Sequence, residues 1–158
     1  MIETRSLDAS TLRARESRRL LAWALERGAD EFSISVMAMQ GVDAPHADAF
    51  EDALAPWESA SASRRVLYGG DADGRERRRE VRLWRLTPIS LALLEEFLPD
   101  GLFTYDTRER GWFEDPLVYR RGELLLGVIT HEREGVILVT PEEAANLAAL
   151  GVPSGAAR

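Results

Sequence analysis

Two short runs near the C-terminus, Leu124–Ile129 and Val136–Val139, carry apolar residues at both parities instead of at every second position. A strand with one wet face alternates. Runs like these belong to strands covered on both faces, which lie centrally in a sheet. A third run, Pro116–Tyr119, precedes them, and the punctuation is short: Arg121-Gly122 in the first gap, His131-Glu-Arg-Glu-Gly135 in the second. The pattern predicts a three-stranded antiparallel meander over Pro116–Tyr119, Glu123–Thr130 and Gly135–Val139. Thr140-Pro-Glu-Glu143 follows at once. A hydroxyl three residues ahead of a glutamate, with proline at the first helical position, is a capping box. It predicts a helix from Pro141 to about Leu150, stopped by Gly151 and Pro153.

The rest of the chain is read from weaker signals. Leu20, Leu21, Ala24 and Leu25 form a helical stripe with Arg15, Arg19 and Glu26 opposite, so a helix is expected over Thr11–Arg27, capped by Asp8 or Ser10 and ended by Gly28. Phe32, Ile34, Val36 and Ala38 alternate with Ser33, Ser35 and Met37, which predicts a strand over Glu31–Met39. A short helix is expected over His46–Ala55, ended by Pro56, and a brief strand over Arg65–Tyr68. Tyr68–Gly74 reads as a hairpin loop leading to a strand over Glu80–Leu86. Thr87-Pro88 starts a helix running to about Leu98 with Ile89, Leu93, Leu94 and Phe97 inward, and short strands follow at Leu102–Tyr105 and Trp112-Phe113. This order lacks the regular βαβ alternation of a doubly wound fold. The expected class is α+β: one domain over residues 1–153 with an antiparallel or mixed sheet, three to four packing helices and a flexible tail at 154–158.

Composition narrows the chemistry. The 158 residues hold no cysteine, which excludes disulfides, thiolate metal sites and a cysteine nucleophile, and favours a reducing, cytoplasmic compartment. All 20 cations are arginine, so a Schiff-base lysine and a P-loop lysine are both excluded. No apolar run approaches the roughly 20 residues of a membrane-spanning helix, and no signal peptide is legible. The net charge of −7 repels a phosphate backbone and favours a basic partner. Gly-x-Gly-x-x-Gly, Walker, Gly-x-Ser-x-Gly and His-Glu-x-x-His motifs are all absent.

Four constellations remain. His131 with Glu132, in a turn between buried strands, has the makings of a general base or a metal site, and Asp115 with Glu114 lies just before the adjoining strand. Whether they converge depends on strand length and twist. His46, Asp48, Glu51 and Asp52 form an acidic helical segment, best read as surface. Arg75, Arg77, Arg78 and Arg79, extended by Arg82 and Arg85, make the strongest basic patch, suited to an anion or to guarding a strand edge. Trp112 and Tyr119, among arginines, have the composition of an interface hot spot or of a core.

The first functional expectation is a small non-enzymatic protein-binding domain, such as a bacterial immunity-type (toxin-neutralising) protein or an accessory subunit of a complex. Its partner would be another protein, a basic one suiting the surface charge; no cofactor and no metal are expected, and nucleic acid is disfavoured. The alternatives are a hydrolase or small-ligand enzyme using His131 with Glu132 or Asp115, and an anion or nucleic-acid binder using Arg75–Arg79.

Overall fold

The computed structural model describes residues 1–67, 77–108 and 110–156. The Tyr68–Gly74 loop and Arg75 lie outside them. The fold is α+β: among the described residues, one sheet of eight antiparallel strands with four α-helices. In chain order the elements are β1 (Glu3–Asp8), α1 (Ala14–Glu26), β2 (Glu31–Ala38), α2 (Pro45–Leu54), β3 (Glu58–Arg65), β4 (Arg78–Arg85), α3 (Pro88–Phe97), β5 (Gly111–Arg120), β6 (Glu123–Ile129), β7 (Glu134–Val139), α4 (Pro141–Ala149) and β8 (Gly155–Ala156). The sheet order is β3-β4-β2-β5-β6-β7-β1-β8, so the meander β5–β6–β7 occupies its middle.

The meander forms where the doubly apolar runs place it. Arg121 and Gly122 both take positive φ, 54° and 80°, the two-residue turn whose twist suits a tight hairpin. Leu126 and Val128 of β6, with Ile137 and Val139 of β7, join the main core beneath the helices, where Leu20, Trp23, Phe32, Phe50 and Trp84 also lie. A second, smaller core of Val66, Val81, Leu83, Leu117, Tyr119 and Leu124 lies apart from it. It exists because the sheet rolls over: β3 touches β6 although three strands separate them in the sheet. Gly127 lies beneath this fold-over; a Cβ there would meet Leu117 Cδ2 at 2.6 Å and Leu67 Cδ1 at 2.9 Å. Both predicted proline starts hold. Thr87 exchanges capping hydrogen bonds with Ser90, and Thr140 with Glu143.

Several expectations are corrected. Residues 3–8, polar in sequence, form β1 between β7 and β8. Asp8 therefore ends a strand; its carboxylate accepts the Ser10 N–H, and α1 begins only at Ala14, without a side-chain cap. The strand expected from Arg65 instead ends there, because Glu58-Ser-Ala-Ser-Ala-Ser pairs with β4 without apolar alternation to announce it. Leu102 and Phe103 are buried in a turn, not a strand; the Leu102 N–H is donated to Ser17 Oγ and the Thr104 N–H to the Gly101 carbonyl. In α3, Ser90, Leu91 and Leu94 face inward while Ile89 is 62% exposed, since Ser90 is drawn in by its bonds to the cap and to the Arg85 carbonyl. Gly155 and Ala156, in the expected tail, pair with Ser6 and Arg5. No described helix is long and apolar enough to cross a membrane.

Candidate functional site

The geometry around His131 comes from a bulge. Between Ser33↔Leu117 and Ser35↔Glu114, β5 carries one residue more than β2. Asp115 takes up that excess at φ 52°, a left-handed conformation that aspartate tolerates better than most residues. Pro116 follows, where a missing N–H is affordable. The bulge turns Asp115 towards the end of β6: its N–H is donated to Thr130 Oγ1 at 2.8 Å, and its Oδ1 accepts the Thr130 N–H at 2.8 Å. Asp115 is only 7% exposed. Burial pushes its carboxyl above the usual aspartate range and the neighbouring Glu114 charge adds to that, while the Thr130 N–H and His131 pull the other way.

One ligand atom each from Glu114, Asp115 and His131 lies within 4.8 Å of the others, so the sheet does converge the groups that the sequence left apart. Glu114 is held by the Trp112 indole, which donates to its Oε1 at 2.8 Å. Glu132 is farther engaged: its Oε1 is 3.9 Å from His131 Nε2, and both side chains are about half exposed. Beside the trio opens a cleft of about 560 Å3, walled by Arg13, Asp100, Phe103, Tyr105, His131 and Arg133. Among the described residues of its walls Arg13 and Arg133 outnumber the one acid, Asp100, so this lining has the opposite sign to the protein's net charge. Asp115 and Glu114 are not among its walls; they stand behind His131.

The arginines lie on the β3–β4 ribbon. Arg64 faces Arg79 and Arg65 faces Arg78 across the two strands, and like charges directly opposite work against pairing. Acids and carbonyls offset this. Arg64 pairs with Glu31 at 2.8 Å, Arg78 donates to the Ser63 carbonyl, and Arg82 clamps Glu58 and Glu51, each at 2.7 Å. The bond to Glu58 comes first among the reasons that Arg82 is held charged beyond its ordinary range. Arg77 lends its carbonyl to the Val66 N–H. Tyr119 is completely buried, its hydroxyl donating to the Arg65 carbonyl at 2.9 Å, and so belongs to the second core. Trp112 is half-buried. The His46 ring packs on Phe97 and Phe113, with centroids 5.5 and 5.1 Å away.

Sequence reasoning missed a different surface. β4 pairs with β2 only at Glu31↔Arg85 and Phe32↔Trp84, then leaves to build the second core. Among the described residues, β2 therefore has a strand neighbour from Ser33 to Ala38 on one side only, β5. The Met39 N–H bonds the Arg110 carbonyl on the β5 side, so by antiparallel alternation Ile34, Val36 and Ala38 direct their N–H and C=O groups away from β5. A slot of about 390 Å3 lies there, walled in part by Ile34, Val36, Met37, Glu51, Glu80 and Trp84. Met37, in its wall, and Met39 and Val42, which follow in the chain, are 37%, 55% and 38% exposed. The only available signal was two methionines outside any apolar stripe, and methionine serves cores and adaptable binding surfaces alike.

No known protein family matches this chain, nor does any curated protein or solved structure.

Proposed function

We propose that the chain is a small non-enzymatic protein-binding domain, of the immunity type or an accessory subunit, that engages its partner through the free end of β2. One observation carries the reading: among the described residues a central strand loses its neighbour on one side after Phe32, and exposed Met37, Met39 and Val42 continue the same segment. Protein surfaces seldom leave a strand edge and flexible apolar side chains together unless something covers them. The acidic balance of −7 suits a basic partner by steering its approach. The test is affinity capture from the native cell with the wild type and with a Met37→Asp, Met39→Asp double variant shown to melt normally. A partner held by the wild type and lost by the variant supports the reading. A partner held equally by both, or none held by the wild type, refutes it.

A second reading, a hydrolase or small-ligand enzyme, is favoured by the convergence of His131 with Asp115 and Glu114 beside the large cleft. A histidine on a cleft wall with carboxylates behind it has the form of an oriented general base. The basic lining suits an anionic substrate. A panel of chromogenic esters and phosphoesters tests it: turnover that disappears in His131→Ala supports the enzyme, and no turnover in the wild type removes its ground.

A further inference from the structure

We infer that the outer edge of β2, Ile34–Ala38, takes up an extended, basic segment of the partner as an added strand, a binding mode that rests on the protein-binding reading above. The backbone supplies the first argument. Ile34, Val36 and Ala38 offer three outward N–H and C=O pairs at every second residue, with no strand pairing to them on that side among the described residues. An extended peptide is the chemical form that satisfies such a row, because its own groups repeat at the same spacing. A helix or a small molecule would leave most of them unmet.

The walls choose the side chains. Residues of an added strand would alternate between two environments. On one side lie α2 and its acids: Glu51 faces the slot, and Asp48 stands one turn earlier on the same helix face. On the other lie Val81 and Met37, while exposed Glu80, two residues from Arg82 on β4, shares the α2 side. Arg82 is the one cation among the described residues of the walls, and it is already shared by Glu51 and Glu58. Two carboxylates in the walls, Glu51 and Glu80, against one arginine leave the slot acidic, so the fitting occupant alternates basic and small apolar side chains. The opposite edge of the sheet offers less: β8 covers β1 at Arg5 and Ser6. The edge strand β3 carries an extra residue between Ser59 and Ala62, a bulge of the kind that discourages pairing.

The experiment uses the full chain, isotope-labelled, with a short synthetic peptide alternating lysine with valine or threonine, read by amide hydrogen exchange. Exchange at Ile34, Val36 and Ala38 is expected to slow by about tenfold or more on saturation. The same peptide N-methylated at alternate backbone positions should give no protection, and a glutamate-for-lysine version should bind more weakly. Glu80→Gln, at an exposed site that leaves the fold intact, should weaken the lysine peptide and flatten its salt dependence. Binding without protection of those three amides, equal binding by the N-methylated peptide, or no binding of the lysine peptide each overturns strand addition. Those outcomes leave the broader reading standing if the Met37/Met39 variant still loses the natural partner, so the two failures are separable.

Discussion

The β5–β7 meander and the β3–β4 ribbon are both antiparallel and joined in one sheet, yet they obey different constraints. The meander is covered on both faces, by the helix-backed core and, along β5 and β6, by the smaller core. The ribbon is wet on one face, ends in facing arginines, and buys its place by covering Leu117, Tyr119 and Leu124. That covering draws β4 away from β2. The open edge is thus a geometric by-product of the second core: one strand cannot both continue the sheet and roll over it.

Four predictions probe this contrast. The largest effect is expected in the meander. Leu126→Ala, at a fully buried site, should cost about 2–5 kcal/mol in chemical denaturation, and Leu83→Ala in the smaller core should fall near the low end because the ribbon can settle into the gap. Equal losses would mean that the ribbon is as rigidly packed as the meander.

The bulge comes next. Asp115→Ala removes the acceptor of the Thr130 N–H and should cost about 1–3 kcal/mol. Asp115→Asn keeps an acceptor and sheds a buried charge, so it should be neutral or stabilising at neutral pH. The native pKa of Asp115 is raised, so the native state takes up the proton first. Its contribution therefore rises as pH falls through that native value and is complete below the ordinary 3.8. The stability difference between wild type and Asp115→Asn, followed from neutral to acid pH, should narrow in that direction; a widening difference contradicts the assignment. Glu58 shifts oppositely, lowered chiefly by its bond to Arg82, which is why only the difference isolates Asp115.

Tyr119→Phe deletes the hydroxyl that ties the meander to the ribbon at the Arg65 carbonyl. About 1 kcal/mol should be lost, with a lower denaturant midpoint and an unchanged slope. The smallest effect belongs to Met37→Asp with Met39→Asp: within about 0.5 kcal/mol of wild type, since these side chains are exposed where they stand. A larger loss would mean that they pack in the folded protein and are no docking surface.

The sequence disclosed what burial forces on it. Leu124–Ile129 had to be a two-faced strand, and the Thr87 and Thr140 caps had to start helices, because local chemistry and the core agree at those points. β1 and β3 were illegible for the converse reason. Thr4 and Ser6, or Ser61 and Ser63, owe their extended form to ladder bonds with distant strands, and such bonds leave no periodicity. At the His131 site the residue types were visible, but their meeting was decided by one extra residue in β5, which only the register reveals. The free edge of β2 is a statement about what β4 fails to pair with, so no reading of β2 alone contains it.

Native-state amide exchange on the protein without any ligand tests the account most directly. Val36 and Ala38 should exchange by local opening, far faster than Leu126 and Val128, which should open only with the whole molecule. If Val36 and Ala38 prove as slow as the β6 amides, the outer side of β2 is already bonded and the docking edge does not exist.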